Sequence, residues 1–421
     1  MLNRRFGFDW RNSYVERRAL FLTILSPILG GMDLDFTPDQ IEFRDQVRTW
    51  LDENKPTEPR PRDDSGIRDY DLAWQRTQWE GGWAGIAWPT EYGGKGLTLL
   101  QQLIWYEEYA ARGFPGIDAC FVGLSHAGPT LITRATDEQK SFHLPKILRG
   151  EVIWCQGFSE PDAGSDLAAL RTKAVTDGDE LVVSGQKLWT SFATVSDYQE
   201  LLVRTDNTGS KHNGITWVIC DMNTPGIDIR PIETIEGGAE FCEVFYDNVR
   251  IPLSNVVGDV GAGWSVAMAT LSFERGTAFT ANQVRLAKII EDLIDYARDH
   301  VGPDGRRPAI ADDEIARRLA HARASVASLR ALTYTNICEA MKTETPGPRG
   351  SIVKLLYAEL AKEIGKLAMD VIGPASSRHS SRWDVDGWVG YYYYSFSQAI
   401  GGGTSEIQRN IVGERVLGLP R

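Results

Sequence analysis

The 421-residue sequence lacks the short motifs that commonly mark a metal or nucleotide site. Its five cysteines form no CxxC pair and its six histidines form no HExxH, so we expect neither a disulfide framework nor a metal centre. Cysteines this far apart fit a reducing cytoplasm. No GxGxxG or GxxxxGKS/T sequence occurs, so any nucleotide must bind in another geometry.

Positive charge is outnumbered, because 45 Lys and Arg residues stand against 57 Asp and Glu residues, for a formal net charge of −12. This balance argues against nucleic-acid binding, which depends on neutralising phosphates with basic side chains. Thirteen tryptophans and a hydrophobic content of 42% instead indicate a chain with a large packed core.

Long hydrophobic runs are missing as well. The apolar stretch after the basic N-terminus covers residues 19–29, is interrupted by Pro27, and falls short of the ~20 residues that span a bilayer. No small-residue cleavage site follows it, which argues against a secretory signal. We therefore expect no membrane insertion.

A natural beginning follows at Met32, because Thr37 suits a helix N-cap and Pro38 suits the first helical position. Residues 1–31 are accordingly interpreted as an N-terminal extension, either disordered or the product of a mis-assigned start. Residues 32–150 then show helical spacing, interrupted by the polar segment KPTEPRPRDDSG.

Two further domains follow, which makes the chain an α+β protein. Residues 151–258 form a β domain, because KAVTDGDELVVSG is typical of strand, Asp-Gly turn and strand, and ITWVICDM and CEVFYDNVRI are typical of further strands. Residues 259–421 return to helical spacing, with Leu286, Ile290 and Leu293 on one face and Leu360, Ile364 and Leu367 on another, which indicates a helix bundle.

Two stretches of the β domain carry side chains suited to a ligand. The turn FSEPDAGSD offers the Ser159 and Ser165 hydroxyls and loop amides, although such a turn is by itself more often an ordinary surface turn. The sequence KLWTS places Trp189 and Ser191 at a strand end, where an indole and a hydroxyl can meet a flat ring system. The alternative is a buried core tryptophan.

Five motifs occur in order: EGGWAGIAWPTEYGGKG, FSEPDAGSD, KLWTS, LSFERG and GGTSEIQRN. In this combination the chain resembles the acyl-CoA dehydrogenase family from about Met32 to Arg421. The resemblance implies an N-terminal helical domain, a central β-barrel and a C-terminal four-helix bundle, with FAD between barrel and bundle. It also implies an acyl-CoA substrate, a role in lipid metabolism such as β-oxidation, and an electron-transferring flavoprotein as acceptor.

The resemblance also implies roles for single residues. Ser165 corresponds to the family position that meets the CoA part of the thioester, and it is also one of the implied cofactor-binding positions. Arg275 stands beside the catalytic region. The other implied contacts to FAD are Phe158 and Ser159 at the flavin ring, Trp189 and Ser191 flanking it, and Thr404 and Glu406 in the tail.

The family reaction needs a carboxylate that takes the α-proton while the β-hydrogen leaves as hydride to flavin N5. Many members carry this Glu two residues before the tail Thr, where this chain has Gly402. A minority, similar to isovaleryl-CoA and long-chain dehydrogenases, carry it just before an Arg on a bundle helix, so Glu274 is the expected base. The alternative is a surface Glu in a helical ion pair, but Glu274 and Arg275 are adjacent and cannot face each other on a helix.

The contacts by which family homotetramers complete the FAD site of a neighbouring subunit are not evident in this sequence. One of them is made by a Gln, and Asp370 lies near its position. The chain is therefore predicted to form either a homo-oligomer or, preferably, an α2β2 heterotetramer with a homologous chain, as in similar actinobacterial enzymes for fatty-acid or steroid side-chain CoA thioesters. Two alternatives stay open: a flavin monooxygenase or nitroalkane oxidase of the same fold, and a non-catalytic partner subunit.

Overall fold

The computed structural model describes residues 36–61, 64–116, 118–274, 279–343, 347–377 and 387–420. The predicted extension, 1–31, and Arg275 lie outside the described residues. The chain divides into one unit that ends at Gln46 and a second that begins at Val47. In the first unit, Thr37 N donates to Gln40 Oε1 over 2.9 Å, and the Thr37 hydroxyl accepts from Gln40 N over 3.4 Å. The predicted N-cap is therefore confirmed.

Helices supply the N-terminal part of the chain. Two of them begin with a capping box, in which Thr98 pairs with Gln101 and Thr136 pairs with Gln139. Tryptophans pack between the helices, and the rings of Trp83 and Trp105 stack 4.7 Å apart. The helices are α1 (Pro38–Glu53), α2 (Asp64–Glu80), α3 (Leu99–Ala111), α4 (Gly128–Arg134) and α5 (Asp137–Leu148), with a π-helix at Gly123–Ala127 before α4.

A seven-stranded mixed sheet follows, in the order β1-β4-β2-β3-β7-β6, with β5 paired to β4. The predicted Asp-Gly turn joins β2 to β3, since Asp177 pairs with Glu180 and Gly178 has a φ of 64°. The three predicted strand regions are confirmed. The strands are β1 (Trp154–Gly157), β2 (Lys173–Asp177), β3 (Glu180–Ser191), β4 (Tyr198–Arg204), β5 (Ile215–Asp221), β6 (Ile227–Ile232) and β7 (Phe241–Pro252).

The C-terminal part is again helical, and its long helices share one apolar core. Both predicted apolar faces are confirmed, because Leu286, Ile290, Leu293, Ile364 and Leu367 are all buried there. The helices are α6 (Gly263–Glu274), α7 (Phe279–Asp299), α8 (Asp313–Thr343), α9 (Gly350–Ile372), α10 (Trp388–Ser395) and α11 (Ser405–Ile411).

This order of helices, sheet and helices confirms the predicted α+β architecture, while the boundaries at residues 150 and 258 stay predictions. In the described part of the chain, no helix combines the length and the apolar character that crossing a membrane requires.

Candidate functional site

The turn after β1 is tied to β3 through a buried ion pair. Lys187, which is fully buried on β3, donates to Glu160 Oε1 over 2.8 Å and to the Phe158 carbonyl over 3.0 Å. The Leu188 N–H donates to the Ser159 carbonyl over 2.9 Å. The structure thus brings the predicted Phe158 and Ser159 next to the strand that carries the predicted Trp189 and Ser191.

Each member of this pair shifts the pKa of the other toward the charged form. Burial lowers the pKa of Lys187 to about 8, against the raising effect of the Glu160 carboxylate. Burial alone would raise the pKa of Glu160, but the Lys187 ammonium and the backbone N–H groups of Arg171 and Thr172 hold it below its ordinary value. The sequence analysis missed Glu160 and Lys187, since charged residues 27 positions apart give no local signal.

Trp189 stands out from the sheet at an irregularity. The pairing of β3 with β7 shifts register between Lys187 and Thr190, and Trp189 adopts a φ of 62°, which is rare for a bulky side chain. Its indole is 55% exposed and meets the Phe241 ring edge-on at 6.0 Å. Trp189 is therefore not a buried core residue, and a flat aromatic face is presented beside the turn.

Hydroxyl-bearing residues lie on the strand of this indole and on the turn bonded to it. Ser159 and Ser191 are half-buried, and neither hydroxyl makes a hydrogen bond to another described residue. Thr190 is fully buried, and its Oγ1 has no hydrogen-bond partner in the described chain. An aromatic face with available hydroxyls fits a flat heterocycle that has a polar edge, so these residues fit an isoalloxazine ring. Ser165 lies farther along the turn and is exposed.

The helix that carries the predicted base packs against α4 and the preceding π-helix. The fully buried hydroxyls of Thr130 on α4 and Thr270 on α6 lie 2.9 Å apart. Glu274 is the last residue of α6 and follows Thr270 by four positions. A π-helix often marks a functional site, and α6 packs against one here.

A second polar cluster, which was not predicted from the sequence, begins on β1 just before the turn. Gln156 on β1 donates from Nε2 to Glu200 Oε1 on β4 over 2.7 Å, and the same nitrogen lies 3.2 Å from His126 Nδ1. Because a carboxylate accepts hydrogen bonds, Glu200 fixes which end of the Gln156 amide faces it. Gln156 precedes Phe158 by two residues and so belongs to the same face of the extended chain.

The tail residues form a separate group. Thr404 caps α11 by accepting from Ile407 N, and Ser405 donates to Glu359 of α9 over 2.7 Å. Glu406 is exposed and lies 3.5 Å from Arg409. Within the described residues, the side chains of residues 404–408 form their hydrogen bonds with other tail residues and with Glu359 of α9.

Two further positions bear on the predicted base and on the predicted oligomer. Gly402, which replaces the common base, has a left-handed φ of 68°. Asp370, near the position of the family Gln, accepts from Arg318 over 2.6 Å, and an ion pair therefore holds it against α8. Gly402 leaves the tail without the common base, and Asp370 stands where the resemblance implies a Gln in family homotetramers.

Three family models match consecutive parts of the chain: the N-terminal domain of acyl-CoA dehydrogenase at residues 37–151, the middle domain at 155–249 and the C-terminal domain at 261–417. Among curated relatives, acyl-CoA dehydrogenase IpdE1 of Mycobacterium tuberculosis is 40% identical over 392 residues, covering 91% of this chain and 98% of the relative.

Two solved structures are similar over 93% of this chain and 100% of their own. The Tcur3481-Tcur3483 steroid ACAD has 30% identity and a TM-score of 0.80. The ChsE4-ChsE5 complex from Mycobacterium tuberculosis has 33% identity and a TM-score of 0.77.

Proposed function

The chain belongs to the acyl-CoA dehydrogenase family, and on that premise we propose that Glu274 is its catalytic base and that a homologous chain completes its FAD site. The chain is an FAD-dependent oxidoreductase that acts on the CH–CH bond of an acyl-CoA. FAD, when bound, accepts the hydride from the β-carbon. The removal of the α-proton then falls to a residue of the chain itself.

The observation that carries the assignment of Glu274 is the location of α6. Its C-terminal end follows the Thr130–Thr270 contact, and Gly402 removes the carboxylate from the alternative position in the tail. A carboxyl with an ordinary pKa near 4.3 is a weak base for an α-carbon, so we expect burial beneath a bound thioester to raise it. Arg275 beside it is proposed to contact the substrate.

The cofactor would rest on the face made by Ser159, Trp189 and Ser191, while the Phe158 side chain is buried in the core beneath this turn. An indole can cover the ring while the two hydroxyls donate to its polar edge. Ser165, on the exposed part of the turn, is proposed to meet the pyrophosphate-bearing ligands that approach from solvent. Thr404 and Glu406 are proposed to reach FAD from the tail.

The substrate is proposed to be a CoA thioester with a bulky, steroid-derived side chain. The support is similarity to the Tcur3481-Tcur3483 steroid ACAD, together with 40% identity to IpdE1. A straight fatty acyl-CoA is the second candidate. A panel of thioesters tested under anaerobic conditions, with flavin bleaching as the signal, separates the two by their relative kcat/KM.

The assembly is proposed to be an α2β2 heterotetramer that acts in the cytoplasm and passes electrons to an electron-transferring flavoprotein. The Arg318–Asp370 ion pair supports it, because an acidic side chain held there suits a cofactor diphosphate poorly. Two of the similar solved structures also carry paired names, Tcur3481-Tcur3483 and ChsE4-ChsE5.

Co-expression with a homologous chain, followed by size-exclusion chromatography and FAD quantification, tests the assembly. We expect the co-purified complex to hold FAD firmly and the single chain to lose it. A single chain that forms a stable homotetramer with one FAD per protomer would contradict the proposal. Rapid oxygen consumption by the reduced enzyme would instead favour the flavin monooxygenase alternative.

A further inference from the structure

A fully buried lysine of β3 is bonded to the turn that carries the residues proposed to face the cofactor. Lysine is almost never fully buried unless it is paired, and Lys187 at 0% exposure is paired with Glu160. Its ammonium also donates to the Phe158 carbonyl over 3.0 Å. Through this one side chain, β3 fixes the backbone of the first residue of the turn.

The Glu160 carboxylate closes the turn from the other side. Oε2 accepts from the Arg171 N–H over 2.6 Å, and Oε1 accepts from the Thr172 N–H over 2.9 Å. The start of the turn is thereby held to residues eleven and twelve positions farther along, with Ser165 between them. Glu160 and Ala163 also exchange two backbone hydrogen bonds of 3.1 Å, which shape the segment between them.

Arg204 of β4 holds the second half of the same turn. Its guanidinium donates to the carbonyls of Ala168 over 2.6 Å and Leu170 over 3.3 Å. The turn is therefore fixed at both ends by buried charged groups from two strands. Ser165 therefore lies between two segments that are each bonded to the sheet.

The same lysine is linked to the aromatic wall on its own strand. Leu188, the next residue, donates from its N–H to the Ser159 carbonyl, and Trp189 then leaves the sheet. Lys187 and Glu160 consequently connect three parts of the site: the Phe158–Ser159 wall, the Trp189 indole and the turn with Ser165.

A purely stabilising role accounts poorly for this pair. Replacing a buried ion pair by apolar side chains of similar volume is often neutral or stabilising, because burying two charges costs free energy. What apolar residues cannot reproduce is the set of directional bonds to Phe158, Arg171 and Thr172.

We propose that Lys187 and Glu160 are positioning residues that couple two parts of the site. One is the set of residues proposed to face the flavin, Phe158, Ser159 and Trp189, and the other is the turn with Ser165, which is proposed to bind CoA. Loss of either Lys187 or Glu160 therefore weakens the binding of FAD and of CoA together. The inference rests on the proposed location of FAD and CoA. It differs from that proposal because it concerns how the two subsites are held, and not which residue takes the proton.

The test titrates the apoprotein with FAD and the FAD-loaded protein with CoA, each in complex with the homologous chain if that chain is needed for FAD. The variants are Glu160→Gln, Lys187→Met and the double variant E160Q/K187M. Glu108→Gln is the matched control, because Glu108 is a buried carboxylate that accepts from Arg48 over 3.0 Å among the N-terminal helices. The measurements are the Kd for FAD by fluorescence, the Kd for CoA by calorimetry and the Tm of the apoprotein.

We expect each single variant to weaken FAD and CoA together, by about 10- to 100-fold in Kd, the size expected for the loss of a hydrogen bond to a charged group. The double variant should recover Tm relative to Lys187→Met, because no unpaired charge is left buried, while both affinities stay low. Glu108→Gln should change Tm alone.

Unchanged FAD and CoA affinities in folded Glu160→Gln would overturn the inference. Recovery of both affinities together with Tm in the double variant would also overturn it, since the pair would then act through stability only. If Lys187→Met does not fold, Glu160→Gln decides alone, because it keeps the size of the side chain. Wild-type protein that binds FAD and CoA but oxidises no thioester would refute the proposed function and leave this inference standing.

Discussion

Thr130 and Thr270 share a hydrogen bond of 2.9 Å between two fully buried hydroxyls, and this contact joins α4 to the helix that ends at Glu274. Thr270 also donates to its own helix at the Val266 carbonyl. A valine at 270 would therefore leave the Thr130 hydroxyl without its partner, buried between the two helices.

Thr270→Val should lower the free energy of unfolding by about 1–3 kcal/mol, the cost of a buried polar group that loses its partner. We expect kcat to fall more than KM rises, because the base at the end of α6 loses its alignment. Stopped-flow reduction and urea unfolding measure the two effects. Thr133→Val, at an exposed position of the same α4, is the control and should alter neither.

Trp189 combines a strained backbone with an exposed side chain, so its replacement separates stability from cofactor binding. A left-handed conformation costs a non-glycine residue roughly 1–2 kcal/mol. Trp189→Gly removes that strain but also the indole, so the Tm of the apoprotein should not fall while the Kd for FAD rises. Trp79→Ala removes a comparably exposed indole from α2 and should leave FAD binding unchanged. Normal FAD affinity in Trp189→Gly would contradict the proposed ring site.

His143 should make the protein sensitive to acid. Burial among Trp154 and Tyr198 lowers its pKa to about 4, with a smaller contribution from Lys146. The unfolded chain takes up a proton near pH 6.5 and the folded chain only near pH 4, so the stabilising contribution is complete above pH 6.5 and is lost as pH falls toward 4.

His143→Gln should accordingly lose less stability than the wild type between pH 6.5 and 4, by an amount on the order of 3 kcal/mol. Chemical denaturation at a series of pH values measures this difference. His321→Gln, at an exposed position on α8, should follow the wild-type curve. Parallel curves for wild type and His143→Gln would refute the expected link.

A glutamate placed at position 402 should not replace Glu274 as the base. The φ of 68° at Gly402 is strained for glutamate by roughly 1–2 kcal/mol, and the Gly402 carbonyl accepts from Gln408 over 3.0 Å. The double variant E274Q/G402E should therefore remain as inactive as Glu274→Gln and be less stable than it. Gly401→Glu adds the same charge at an exposed position without a left-handed φ and should preserve stability. Recovery to within tenfold of wild-type kcat would show that the tail position can supply the base.

The sequence predicts the parts of the fold that are encoded locally. The Asp-Gly turn, the apolar helix faces and the Thr37 cap depend on neighbouring residues, and all three are confirmed. The motifs also predict that the segments containing Phe158 and Trp189 belong to one site. Hydrogen bonds between these two segments place them side by side.

The rest depends on contacts between distant residues. Glu160 and Lys187 are residue types that usually lie on the surface, and only the folded structure shows that they meet in the interior. The exposure of Trp189 follows from a register shift against β7, which no local pattern signals. The cluster of His126, Gln156 and Glu200 comes from three separate elements, so it too is visible only in the fold.

Anaerobic reduction of the bound flavin by an acyl-CoA thioester is the most direct test of Glu274 as the base. Glu274→Gln should retain FAD and bind the thioester, but its rate constant for bleaching should fall by about 10²- to 10⁴-fold, the usual contribution of a general base. Bleaching of Glu274→Gln at the wild-type rate, with the same substrate and the same FAD content, would contradict the account.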